Sequence, residues 1–440
     1  MNGLKRTLAA AWAPVLVYAV LALGIFLGDH VLDAPKYDQD LYHHVAVVTF
    51  AEQWPAFDIT DYESATSPLY HLVMASAAKV LGSDLDTLRV VSSLFGLALV
   101  VAVAGWAATF VSTRAAAFLS MPLAASVYVI GSGVHVHTDN MGWLLVILAL
   151  GPVVFLAPRT DRWCLSGLLV LLAVSVRQVM IWAIGPLVLA GLLASPLRRF
   201  VPRGFDSDGE TPGARSWSPL ITSLLVAIPS LVVLFIFIGL WGGLVPPRFQ
   251  ELHASAYSFC APAYGLAVLA VYAPFFLVMV PRPLELLGRH RTVLLLFALL
   301  GVLLALAFPS SYSIDDGRYG GPVWLLVSKA PVVAERSLLL ALMAGAGAVF
   351  LVFLVLAAMR NRRGVPALVL ACSWCATHST QLVNAQTFQR YFDTPTLVIL
   401  AWFGALILTG RPDDERRSAL GPSLLTIALA LMLVADVLTG

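Results

Sequence analysis

"AAWAPVLVYAVLALGIFL", residues 10–27, runs eighteen positions without a charged side chain. At about 1.5 Å per residue, a helix of that length spans about 27 Å, close to the hydrocarbon thickness of a bilayer. Lys5 and Arg6 precede it, as they would in a signal peptide. No small-residue cleavage site closes the run and further apolar runs follow, so it reads as a retained membrane helix.

Working outward, comparable runs occur at 88–110, 113–131, 139–157, 163–176, 178–194, 217–240, 263–281, 291–308, 335–358, 365–382, 392–410 and 421–439. The chain is 59% hydrophobic and 12% charged, with a mean hydropathy of +0.86. These properties predict an all-α, polytopic membrane protein of about thirteen transmembrane helices, forming one integral-membrane domain over 1–440. A net charge of +2 argues against a nucleic-acid partner. Four cysteines give no disulfide framework, and Cys372-Ser-Trp-Cys375 sits in an apolar run where small buried packing explains it. No repeat or glycine-rich phosphate loop stands out.

Arginines set the orientation. Arg198, Arg199, Arg203 and Arg215 crowd one loop; Arg282, Arg289 and Arg291 another; Arg360, Arg362 and Arg363 a third; Arg411, Arg416 and Arg417 a fourth. The positive-inside rule makes these loops cytoplasmic, and counting spans backwards places 18 of the 27 Lys and Arg inside. The parity requires that a shorter candidate, 66–81 with Pro68, His71 and Lys79, does not cross. It is expected as an interfacial helix within one long outer segment, 28–87, which carries ten Asp or Glu. A second long outer loop is expected at 309–334.

With that orientation the scarce polar residues gather on the outer side. "KYDQDLYHH" (36–44) contributes Asp38, Asp40, His43 and His44, and "HVHTDN" (135–140) contributes His137 and Asp139. "VRQ" (176–178) brings Arg177 and Gln178, "IDDGRY" (314–319) brings Arg318 and Tyr319, and "FQRYFD" (388–393) brings Arg390 and Tyr391. Each has a plainer reading. Asp139 can cap a helix, Arg177 and Arg390 can snorkel or anchor a helix end, and the His43-His44 pair can be solvated loop. Their agreement in sidedness is the stronger signal, because ionisable groups at membrane depth are costly and mark functional sites.

Carboxylates and guanidiniums at a membrane edge suit group transfer from a lipid phosphate. An Asp takes the proton from an attacking hydroxyl, while arginine forks stabilise charge on the departing phosphate.

The motifs resemble the GT-C superfamily of integral-membrane glycosyltransferases, and within it the dolichyl-phosphate-glucose alpha-1,2-glucosyltransferases. Asp38-Gln39-Asp40-Leu41-Tyr42-His43-His44 is similar to the family's opening acidic motif. Thr66-Ser67-Pro68-Leu69-Tyr70 resembles its T-P-P-G-L-Y element, and His137-Thr138-Asp139 its Y-T-D. Arg177-Gln178-Val179-Met180-Ile181-Trp182 resembles R-Q-T-N-I-x-W. Asp316-Gly317-Arg318-Tyr319 resembles D-N-R-H-Y, and Phe388-Gln389-Arg390-Tyr391-Phe392-Asp393-Thr394-Pro395 resembles E-F-R-Y-F-x-x-P. Gln39 separates two acids that are adjacent in the family, so either Asp38 or Asp40 stands in the catalytic register.

The resemblance implies juxtamembrane helices in the first outer loop and a site on the extracytoplasmic face of a cell membrane. It implies inverting transfer of a hexose, glucose by the nearest family, from a polyprenyl-phosphate sugar to a hydroxyl of a lipid-linked glycan or other acceptor. Asp38 is then the general base, with Asp40 the alternative or an orienting partner. Arg318, Arg390 and Arg177 would bind phosphate; His43, His44, His137, Asp139, Gln178, Tyr319 and Tyr391 complete the substrate-binding set. No cofactor is required, although Asp38, Asp40 and Asp139 have the oxygen ligands of a divalent-cation site. The rival reading is a secondary transporter or lipid flippase, which predicts charges within broken spans and internal repeats.

Overall fold

The structure, a computed structural model, describes residues 3–28, 30, 32–156, 159–201, 216–253, 256–310, 320–411 and 416–439. The first apolar run forms α1 (Gly3–Leu27). Segment 28–87 then folds into short helices. α2 (Asp33–Asp38) passes through one π-helical turn, Gln39–His43, into α3 (His44–Gln53), and α4 (Leu69–Leu81) follows. α5 (Leu85–Ala107) starts where Asp84 accepts from the Thr87 N–H at 2.8 Å, satisfying one of the free donors of its first turn. α4 does not cross. Its leading Ser67 bonds Gln178, and three residues after its end α5 begins, with Arg89 donating to the Val134 carbonyl at 2.7 Å. Residues 67, 178 and 134 all belong to one end of the molecule.

The run at 113–131, expected as one helix, is broken. α6 (Thr113–Ala124) and α7 (Val127–Val134) meet at 70°. Pro122 weakens the last turn of α6, and the Ser126 hydroxyl restarts the chain by accepting from the Tyr128 and Val129 N–H groups. That hydroxyl also donates to Asp393 at 2.5 Å. α8 (Asp139–Phe155) and α9 (Thr160–Val176) lead to a 3₁₀ turn, Gln178–Ala183, and α10 (Ile184–Leu193).

The second half contains α11 (Ser218–Trp241), the short α12 (Gln250–His253), α13 (Ala261–Tyr272) and α14 (Pro274–Leu277). α15 (Pro283–Arg289) meets α16 (Arg291–Ala307) at 83°. After α17 (Pro322–Ser328), β1 (Val332–Val333) pairs antiparallel with β2 (Arg336–Ser337), and α18 (Leu338–Arg360), α19 (Gly364–Thr380), α20 (Arg390–Leu408) and α21 (Arg417–Thr439) complete the chain. α16 and α18 approach closely through small residues: a Cβ on Gly345 would lie 3.0 Å from the Ala298 carbonyl oxygen. In lipid, where hydrophobicity gives helices no reason to associate, such close van der Waals contact does.

Among the described residues each of the thirteen apolar runs contains helix, although the run at 335–358 opens in β2. By length and composition, six helices of the described residues could each cross a membrane (α1, α5, α11, α18, α20 and α21), and counting each bent pair as one span gives eight. α8, α10 and α13 are shorter apolar helices. The chain is therefore an all-α, multi-pass membrane protein, and the expected thirteen spans exceed what helix length alone supports. α20 is buried along its whole apolar window, at the centre of the bundle. Loops sort to two ends. Arg6 bonds Val111, Arg360 bonds Glu285, and Asn361 bonds Leu406 and Thr409 at one. Gln39 bonds Val136, Gln178 bonds Ala65 and Leu244, and Ala385 bonds His253 at the other.

Candidate active site

The π turn decides which acid of the opening motif faces inward. An i→i+5 turn brings residues five apart onto one side, and here it aligns Asp38 with His43. Both line a cavity of about 620 Å³ at the second end of the molecule. Gln39 is buried and receives the Val136 N–H at 3.0 Å, pinning the turn to the loop before α8. Asp40 points away. Its oxygens take Lys36 Nζ at 2.6 Å and Gln39 Nε2 at 2.9 Å, and it does not line the cavity. The wider π turn thus places Asp40, the alternative for the catalytic register, outside the cavity. His44 is likewise absent from the cavity wall, with its Nε2 buried and unpartnered.

The second contribution comes from the loop before α8 and the α9 break. Asp139 opens α8 and forms an ion pair with Arg177, which stands where α9 gives way to the 3₁₀ turn. His137 lies between the two carboxylates, 3.5 Å from Asp38 through Nε2 and 3.4 Å from Asp139 through Nδ1. Its Nδ1 accepts the Asp139 N–H at 3.3 Å, which leaves the ring proton on Nε2, toward Asp38. Gln178 uses its whole amide. Oε1 accepts from the Ser67 N–H at 3.0 Å and hydroxyl at 3.1 Å, and Nε2 donates to the Ala65 and Leu244 carbonyls at 2.8 and 2.9 Å. Expected as a substrate ligand, it lines the cavity and also staples three segments around it.

The third comes from the start of α20. Arg390 forms an ion pair with Asp38 across 352 residues of sequence. Its guanidinium stacks 5.1 Å from the Phe388 ring centroid and 5.2 Å from that of Tyr391, whose other neighbour is Arg177 at 5.9 Å. Two guanidiniums therefore flank one tyrosine ring at the cavity wall. Arg318 and Tyr319 lie outside the described residues.

Burial favours a protonated Asp38, but the Arg390 guanidinium and the His137 hydrogen bond together hold the carboxyl well below its usual range. Burial pushes His137 down to about 4 despite the opposing Asp38 carboxylate, and drives His43 well below its ordinary value, aided by His137. The site is thus an ionised carboxylate among neutral imidazoles.

The cation set expected from the motif does not form. Asp40 faces Lys36, while Asp38 and Asp139 each have a guanidinium as counter-ion. Among the described residues no group of three or more His, Cys, Asp or Glu is placed to hold a metal ion. The donor set does not fit a divalent ion.

Sequence reasoning missed part of the wall: His253 in α12, and Gln381, Asn384 and Gln386 between α19 and α20. The polar stretch "QLVNAQ" (381–386), interrupting two apolar runs, was the available signal.

No protein-family model matches the chain, and no curated protein does. Solved structures with some likeness include the oligosaccharyltransferase of Archaeoglobus fulgidus tethered to an acceptor peptide, at 14% identity and a TM-score of 0.47 over 96% of this chain and 55% of that one. This chain spans about half that protein's length. ArnT from Cupriavidus metallidurans bound to undecaprenyl phosphate aligns at 13% identity and a TM-score of 0.35, over 94% of this chain and 77% of that one. At such values the reading rests on this chain's own residues.

Proposed function

We propose that this protein is a membrane glycosyltransferase of the GT-C type, with about thirteen spans. In this reading it transfers a hexose, glucose by its motifs, from a polyprenyl-phosphate sugar to an acceptor hydroxyl on the extracytoplasmic face. One observation carries the reading: Asp38 and Arg390, at opposite ends of the sequence, pair inside a cavity that Arg177, His137 and Tyr391 also line.

In the proposed reaction the acceptor oxygen attacks the anomeric carbon, the bond to the phosphate oxygen breaks, and the polyprenyl phosphate leaves with the electron pair. Asp38 receives the acceptor's proton. Attack opposite the leaving group inverts the centre, so a beta-linked donor gives an alpha-linked product. Arg390 and Arg177 stabilise negative charge on the leaving phosphate. While paired with Arg390, Asp38 is a weak base. A donor phosphate that draws the guanidinium away returns basicity to the carboxylate, so donor binding prepares the base. His137 orients the carboxylate through Nε2–H, and Arg318 remains a further phosphate ligand of this proposal.

The test is reconstitution with polyprenyl-phosphate glucose and an acceptor. Release of free polyprenyl phosphate, lost in Asp38→Asn, supports transfer. Counterflow of intact lipid that is indifferent to that change would instead favour a transporter or flippase.

A further inference from the structure

We infer that Gln381, Asn384, Gln386 and His253 form a hydroxyl-reading wall, a subsite that takes the uncharged, polyhydroxylated part of a sugar. This inference rests on the glycosyl-transfer reading and assigns a place within the same cavity to the donor's sugar ring.

The four side chains all line the cavity. Their backbone is clamped from behind. Ser258 N–H donates to the Leu382 carbonyl at 2.9 Å, Ala385 N–H to the His253 carbonyl at 3.0 Å, and Trp324 Nε1 to the Thr387 carbonyl at 2.7 Å. Gln389 N–H donates to the Gly320 carbonyl at 2.9 Å, and the Ser258 and Thr387 hydroxyls lie 2.5 Å apart. Several of the segment's main-chain groups are thus held within the protein, while its side-chain amides line the cavity. Asn384 Oδ1 accepts the Gln386 N–H at 3.0 Å, while its Nδ2 reaches Gln381 Oε1 only at 3.5 Å, the limit of a hydrogen bond.

Gln386 is the telling member. Only 7% of it is exposed, and it lines the cavity. An amide on a cavity wall is open to a ligand, whose hydroxyl can bond it in place of water. An amide both donates and accepts, as a hydroxyl does, whereas a phosphate only accepts. His253 adds a neutral imidazole, because burial lowers it to about 4. Charge recognition and hydroxyl recognition are thereby separated along one stretch of chain. Arg390 takes the phosphate, and the residues just before it take the sugar.

The experiment compares undecaprenyl-phosphate glucose with undecaprenyl phosphate, binding each to the full chain in nanodiscs. Wild type should prefer the glucosylated lipid. Gln386→Leu should cut that preference about 3- to 10-fold, the worth of one neutral hydrogen bond, with affinity for the bare lipid phosphate unchanged. Gln386→Asn should keep part of the preference, and unchanged bare-lipid binding shows that the variants are folded. A preference untouched by Gln386→Leu, or a parallel loss for both lipids, would overturn the inference. Equal wild-type affinity for both lipids would overturn it while leaving the phosphate site standing. Wild type that binds neither would remove the glycosyl-transfer reading as well.

Discussion

Asp38 and Asp40 are chemically identical and two positions apart, and the structure gives them opposite surroundings. Asp38 faces Arg390 and His137 in the cavity, whereas Asp40 faces Lys36 at the surface. Asp38→Asn should therefore lower turnover by about 10²- to 10⁴-fold, the usual contribution of a general base. Asp40→Asn should stay within about twofold, because an exposed ion pair contributes little. Assays of phosphate-lipid release on both variants check this, and equal losses would contradict the assignment. Arg390→Lys keeps the charge but loses the planar fork and the stacking on Phe388 and Tyr391, so it should weaken donor binding rather than restore it. The acids, histidines and arginines were legible as residues, because charge is rare in so apolar a chain. Which acid turns inward was not, because a π turn depends on what Gln39 and His43 pack against.

At the scale of elements, two devices hold the site. The π turn is one: deleting the half-exposed Leu41 would shorten it to an α-helical turn and rotate His43 out of line with Asp38. Activity should fall to background while the thermal melt stays cooperative. Gln178 is the other. Gln178→Ala leaves the Ser67 donors and the Ala65 and Leu244 carbonyls without their partner, a loss of about 2–4 kcal/mol at roughly 1 kcal/mol per bond. A thermal melt in detergent should show it, and an unchanged midpoint would mean that these segments are held by other contacts. The apolar runs announced nearly every long helix, since hydropathy is a local property. The bend between α6 and α7 was hidden because Ser126 needs Asp393, 267 residues away, to complete its hydrogen bonds.

For the whole molecule, the buried imidazoles couple stability to pH. His43, His137 and His253 have folded-state values below those of the unfolded chain, so between about pH 6.5 and pH 4 the unfolded state binds more protons. Stability should be complete above about pH 6.5 and decline as pH falls through that window, with lowered Asp38 adding to the loss only at more acid pH. Melts from pH 7.5 to 4.5 should show this slope, and His137→Gln should flatten it. Orientation is tested by an impermeant thiol reagent on Ser83→Cys in a cysteine-free background. Labelling from the outside agrees with a non-crossing α4, and labelling only after cytoplasmic access would reverse it.

Hydropathy and arginine placement, read from the sequence alone, settled that this is an all-α membrane protein with acids and arginines gathered among a few loops. Burial cost and charge bias act on each segment independently of its neighbours, which is why they could be read in one dimension. Tertiary structure alone decided that Asp38 rather than Asp40 meets Arg390, that Gln178 braces the cavity, and that an amide wall completes it. Those outcomes depend on segments separated by up to 352 residues meeting at fixed distances. Only packed helices can impose such distances.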